Sequence, residues 1–290
     1  MFYGNMKFYK YQGAGNDFLI ADNRNGAIRE EGGVLYGEGG WSRSIADLCD
    51  RRYGVGADGL MLLEESAEYD FRMVYFNSDG SGGMMCGNGG RCIVAFAADC
   101  GLEHFDFEAA DGFHTAEILQ NTGGVKTVRL KMKDVSECQK YEKLTGVNVA
   151  SEGVFLDTGT RHYVRFVKNL MEYDVVGEGS DIRYNAEELL PLGANVNFVE
   201  SVPSALNVRT YEKGVEDETY ACGTGIVASC LASYIAGVEP AEMLSGGRVR
   251  YAVNAKRDAL AVDFIPGSAD FFAEDVWLTG PATYVAEVLI

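Results

Sequence analysis

The sequence predicts an α+β fold of two pseudo-symmetric lobes, each a mostly antiparallel sheet wrapped around a central apolar helix. Three observations predict it. Short segments with apolar residues at every second position dominate the chain. Two other segments are apolar nearly all round, the pattern of a buried helix. Both of those segments follow the same punctuation, Cys-Gly-polar-Gly.

The alternating segments are FRMVYFN from Phe71, TVRLKM from Thr127, HYVRFV from His162, NVRTYE from Asn207, RVRYAV from Arg248 and LAVDF from Leu260. Glycines and Asn/Asp clusters separate them. The apolar helices are CIVAFAAD from Cys92 and IVASCLASYIA from Ile226, ending at the stop glycines Gly101 and Gly237. CGNGGRC at Cys86 and CGTG at Cys222 precede them, 136 residues apart (222 minus 86), close to half the chain. This spacing reads as an internal duplication. The N-terminal lobe is expected over 1–134 and carries Cys86. The C-terminal lobe is expected over 135–275 and carries Cys222. The final segment, 276–290, reads as strand returning to the first lobe.

Composition narrows the function. The 290 residues are 47% hydrophobic, enough for one large or two medium cores. A net charge of −18 argues against nucleic acid as a partner, because phosphate contacts need Lys and Arg. The opening MFYGNMKFYKYQ lacks the apolar run of a secretory signal, so none is expected, and no apolar run approaches the roughly 18 residues of a membrane helix. A cytoplasmic protein without a membrane partner is expected. The seven cysteines form no C-x-x-C pair and no zinc-ligand spacing with His, so a structural metal and a thioredoxin-like redox motif are not expected. The default role of each is a small buried apolar residue, and Cys49, Cys92, Cys100, Cys138 and Cys230 are assigned to it.

Cys86 and Cys222 are different, because each stands just before a helix. Unpaired amides of a first helical turn carry partial positive charge and lower a thiol's pKa. The following glycines let those amides approach a bound anion. Two such ends could hold the carboxylate of an amino acid with its Cα between two sulfurs. One thiolate would then remove the Cα proton and the opposite thiol would return one to the other face. Converging amides would stabilise the charge that develops on the carboxylate.

Several motifs resemble those of the diaminopimelate epimerase family: YQGAGNDF (Tyr11 to Phe18), DRRYGVGADG (Asp50 to Gly59), FNSDGS (Phe76 to Ser81), MCGNGGRC (Met85 to Cys92), GANVNF (Gly193 to Phe198), YEKGVEDETYACGTG (Tyr211 to Gly225) and LTGPA (Leu278 to Ala282). The resemblance covers nearly the whole chain. It implies that Cys86 and Cys222 are the acid/base pair, and that Gly87, Asn88, Gly223 and Thr224 bind the reacting carboxylate. It further implies that Asn16, Asn77 and Asn195 contact a small-molecule amino-acid substrate. Glu212 matches a glutamate near the second cysteine and His162 a histidine near the first, and the resemblance implies that both are catalytic residues and that Thr160 binds substrate. No pyridoxal phosphate, other cofactor or metal is implied, and a homodimer is. From the residues alone, the three asparagines read as turn residues, His162 as a half-buried strand histidine, and Glu212 as half of a surface ion pair.

Two departures touch the far end of the substrate. Glu212-Lys213 stands where the family has Glu-Arg, and Gly159-Thr160-Arg161-His162 where it has Gly-(Asn/Ser)-Pro-His. Either Arg161 or Lys213 is expected to take over the clamp on the second carboxylate, although Lys is not the planar fork that Arg is. The expected function is epimerisation of LL- and meso-diaminopimelate. A racemase of another amino acid such as histidine is the alternative, and a catalytically silent amino-acid-binding protein is a third reading.

Overall fold

The computed structural model describes residues 6–148, 152–267 and 272–290. It divides into two compact units, Met1–Leu130 with Pro281–Ile290, and Lys131–Gly280. The division falls just ahead of Asp134, and the chain re-enters the first unit at Pro281.

In the first unit, Lys7–Gly13 is antiparallel to Asn16–Asp22, which runs parallel to Gly59–Glu64. Antiparallel Phe71–Asn77 follows, then parallel Asp106–Ala109, then antiparallel Gly112–Thr122 and Val125–Lys131. The long strand Ala273–Leu289 pairs with both Lys7–Gly13 and Val125–Lys131. Among the described residues these eight strands thus close into a ring. Helix α1 (Ile45–Cys49) and a small sheet of Arg29–Glu31, Val34–Tyr36 and Ser42–Ser44 occupy the crossover from Asn16–Asp22 to Gly59–Glu64. Parallel neighbours need such a long connection. Helix α2 (Gly87–Asp99) packs against the strands of the ring.

The second unit repeats this order. Arg161–Phe166 is parallel to Asn195–Val202. Antiparallel Ala205–Glu212 comes next, then parallel Val249–Asn254, then antiparallel Ala259–Pro266 and residues 273–280. Gly153–Asp157 precedes the series and is antiparallel to Arg161–Phe166. Helix α3 (Val175–Asn185) fills the parallel crossover, and α4 (Gly223–Ile235) stands where α2 stands in the first unit. The duplication signalled by two short motifs therefore extends through the strand pairings.

Both central helices form over the expected apolar segments but start earlier, α2 at Gly87 rather than Cys92 and α4 at Gly223 rather than Ile226, so the motif glycines lie in their first turns. In α2, residues Cys92 to Ala97 are 0–1% exposed, and in α4 so are Ile226 to Ala228 and Cys230 to Ala232. Burying each larger apolar side chain contributes about 1.5–3 kcal/mol. Helix α2 stops at Gly101, whose φ is 90°, with the Leu102 amide returning to the Ala97 carbonyl; α4 stops likewise at Gly237, with Val238 returning to Ser233. Cys92 and Cys230 lie inside these cores, where burial pushes their thiols far up. Cys49 is also buried, its thiol pushed up to about 11 by the same cause. Such thiols stay protonated and inert. Among the described residues no helix is long and apolar enough to cross a membrane.

Candidate active site

In the first unit, Cys86 is the N-cap of α2. Its backbone is extended (φ −117°, ψ 155°), and its sulfur accepts the Gly89 amide at 3.3 Å. No acidic residue occupies the first turn of α2 to offset the positive helix end. Gly87 and Asn88 follow, both buried. Below them the fully buried Arg91 donates to the Gly87 carbonyl and to Asn88 Oδ1, each at 2.9 Å. That contact turns the Asn88 amide so that its oxygen faces the guanidinium. Tyr75 stands near the Cys86 thiol, its phenol pushed up first by burial and then by the field of that thiol.

The expected substrate asparagines of this unit are held by different means. Asn16 donates to Asp58 Oδ2 at 2.7 Å. Arg51 bridges Asp58 and Asp17 at 2.7 and 2.6 Å, and Lys10 pairs with Asp17 at 2.9 Å. Burial alone would raise the Asp17 carboxyl, but Arg51 and Lys10 outweigh it and hold it at about 2. Asn77 ends its strand and donates to Ser81 Oγ at 3.0 Å, bracing its own turn.

In the second unit, Cys222 is the N-cap of α4 and is 7% exposed. Its sulfur lies 3.5 Å from the Thr224 hydroxyl. That hydroxyl is 2.9 Å from His162 Nε2 and accepts from Thr160 Oγ1 at 3.0 Å. Thr158 donates to the Thr224 carbonyl at 3.1 Å. The fold thus gathers Thr160 from a turn, His162 from the start of the strand that follows, and Cys222 and Thr224 from a helix start into one hydrogen-bonded cluster, so His162, expected near the first cysteine, belongs to the cluster of the second. His162 is fully buried, and burial pulls its imidazole from 6.5 down to about 3, so it is neutral.

Asn195 is 7% exposed and ties two strand ends together. It donates to the Arg161 carbonyl at 3.0 Å and accepts the Lys213 amide at 2.8 Å. Glu212 accepts from Thr219 Oγ1 at 2.8 Å; burial raises its carboxyl, with the threonine acting the other way. It is not paired with Lys213, the surface ion pair that the residues alone suggest. The Arg161 guanidinium donates to the carbonyls of Gly193 at 3.0 Å and Leu189 at 3.2 Å, and lies over the Phe155 ring. Lys213 is exposed.

Sequence reasoning missed Asn197 and Thr210, which support His162. Asn197 Nδ2 lies 3.0 Å from His162 Nδ1, and Thr210 donates to Asn197 Oδ1 at 2.9 Å. A signal existed for Asn197, though not for Thr210. Asn195 and Asn197 stand two apart in a strand whose other early residues are apolar, which puts both on one face. Buried polar groups in such a place need partners. Arg91, a lone cation in an apolar helix, was legible by the same reasoning.

The sequence profile of diaminopimelate epimerase matches residues 8–135. A diaminopimelate epimerase of Flavobacterium psychrophilum is 41% identical over 276 residues, covering 93% of this chain and 99% of that protein. One of Chlorobaculum tepidum is 41% identical over 278 residues, covering 94% and 96%. In fold, the chain is similar to a phenazine biosynthesis protein of the PhzF family from Bacillus anthracis, with a TM-score of 0.69 at 16% identity over 99% of both chains. That likeness speaks to architecture alone; the sequence relatives settle membership, and the chain belongs to the diaminopimelate epimerase family.

Proposed function

We propose that this protein is an isomerase that interconverts LL- and meso-diaminopimelate, with Cys86 and Cys222 as the two acid/base groups acting on one substrate Cα. The observation that carries the reading is the equivalence of the two cysteines. Each is the N-cap of a buried helix in its own unit, at the same step of a repeated strand order. A structural cysteine has no reason to recur in that way.

The chemistry follows from the helix starts. Substrate carboxylate oxygens accept amides of the first turns, Gly87–Asn88 and Gly223–Thr224. As one thiolate takes the Cα proton, the electron pair moves toward the carboxylate. There the same amides offset the added charge, and removing one such donor typically costs about 10²–10³ in rate. The other cysteine, as thiol, then protonates the opposite face. The positive helix ends favour the thiolate form in each role.

For the second carboxylate, Lys213 suits the clamp better than Arg161. The Arg161 guanidinium is already engaged by two main-chain carbonyls, while Lys213 is exposed next to Glu212. Asn16, Asn77, Asn195 and Thr160 complete the proposed binding set. The reading carries a place in lysine biosynthesis, a cytoplasmic setting whose reducing conditions suit catalytic thiols, and a homodimer. Proton NMR in D₂O with diaminopimelate, histidine and lysine as substrates tests it. Inversion and α-proton exchange of diaminopimelate alone are expected. Inversion of histidine instead would assign a different substrate, and binding without exchange would make the protein a non-catalytic binder.

A further inference from the structure

We propose that Asn197 is a positioning residue that fixes the tautomer of His162, and through it the direction of the hydrogen bonds that end on the Cys222 sulfur. The Asn197 amide nitrogen faces two acceptors: the Tyr163 carbonyl at 3.4 Å and His162 Nδ1 at 3.0 Å. The reversed amide would set oxygen against a carbonyl oxygen, so the nitrogen must be on this side. Thr210 donates to the oxygen on the other side at 2.9 Å and holds the amide in place. Helix α4 packs on the same group. A Cβ at Gly225 would lie 2.3 Å from Asn197 Oδ1, which explains the second glycine of CGTG.

A donor aimed at Nδ1 requires a lone pair there. The single proton of the neutral ring is therefore on Nε2 and points to the Thr160 and Thr224 hydroxyls, each 2.9 Å away. Thr224 Oγ1 then accepts from His162 and from Thr160. Its own hydrogen is left to point at Cys222 Sγ, 3.5 Å away. A hydroxyl hydrogen directed at sulfur favours thiolate over thiol. His162, Asn197 and Thr210 are 0, 0 and 3% exposed, so water does not compete for these bonds.

Asn197→Asp tests this with almost no change of shape. A carboxylate at 197 accepts where the amide donated. It would draw the imidazole proton to Nδ1 and leave Nε2 to accept from Thr224, taking that hydrogen from the sulfur. Nitrogen-15 NMR of the full-length protein, free of substrate and labelled at histidine, reads the tautomer directly. Wild type is expected as the Nε2–H form at pH 7, and Asn197→Asp as Nδ1–H or doubly protonated. A wild-type Nδ1–H form, or an Asn197→Asp variant that keeps the Nε2–H form, would overturn the assignment. If Asn197→Asp does not fold, the wild-type spectrum still decides.

The kinetic consequence rests on the proposed epimerisation. Asn197→Asp is expected to lower kcat about a hundredfold with KM within about threefold; a tautomer reversed directly beside a nucleophile costs ~10⁴. The spectrum needs no substrate. A wrong substrate assignment would therefore leave the tautomer result intact, and a wrong tautomer would leave inversion by the wild type intact.

Discussion

The Cys86 sulfur accepts the Gly89 amide at 3.3 Å, the place where a serine or aspartate oxygen ordinarily caps a helix. The side chain proposed to move a proton therefore also closes the first turn of α2. Serine separates these roles, because its hydroxyl caps well but is far too weak an acid to replace a thiol. Cys86→Ser is expected to keep the melting temperature within about 2 °C and to lose inversion by at least ~10³. Cys86→Ala should lose inversion and also about 0.5–1 kcal/mol of stability with the cap. Thermal melts beside an NMR inversion assay check both.

His162 gives a sign to the acid side of the stability profile. Its folded pKa lies at about 3, below the ordinary 6.5, because burial disfavours the charged ring. A base with a lowered pKa contributes stability in full above 6.5 and loses it as pH falls from there toward 3. Between those limits unfolding takes up one proton, a slope of about 1.4 kcal/mol per pH unit. His162→Gln removes the titrating group. Denaturant titrations at pH 6, 5 and 4 should show a shallower decline for the variant, whatever its offset at pH 7. Parallel slopes would show that His162 does not titrate with unfolding.

Glu212 has the opposite sign. Burial raises its carboxyl, so the folded state favours the protonated form. That preference is fully expressed below about 4.5, the unfolded value, and is lost as pH rises through the folded pKa. Glu212→Gln keeps an acceptor for Thr219 and carries no charge at any pH. Relative to wild type, its melting temperature should match at pH 4 and rise as pH increases to 7.5.

Arg161 and Lys213 are expected to divide along stability and binding. Arg161→Ala removes two charge-assisted bonds to the Leu189–Gly193 turn, a loss of about 1–3 kcal/mol. It should leave kcat/KM within about threefold. Lys213→Ala should leave stability within about 0.5 kcal/mol, as for an exposed side chain, and raise KM at least tenfold. A large fall in kcat/KM for Arg161→Ala would return the clamp to Arg161.

Much of this arrangement was legible from residue patterns. The strand from Phe71 shows at its start, where Phe71 and Met73 are buried and Arg72 between them is exposed, and both central helices show because they have no polar face. Gly59–Glu64 gives no such alternation, since five of its six residues are buried. Helix α3 carries two glycines in VVGEGSDIRYN, a poor helix by propensity. It is held by the Asp174 cap, which accepts the Gly177 amide at 2.9 Å, and by packing of Val175, Gly179 and Ile182. At the candidate site, Cys86 and Cys222 stand out because a motif repeats. Asn197 and Thr210 come from neighbouring strands and meet His162 only through strand register, with Asn197 opposite Thr210. Pairing of that kind has no local signature.

The central claim is that two thiols serve one carbon. The most direct test follows LL-diaminopimelate in D₂O by proton NMR from the first turnovers, with wild type, Cys86→Ala and Cys222→Ala. Two bases predict that deuterium enters first at the inverted centre of the meso product, while the remaining LL isomer keeps its Cα proton, and that neither variant inverts. Early deuterium in both isomers alike, or full turnover by either variant, would contradict the account.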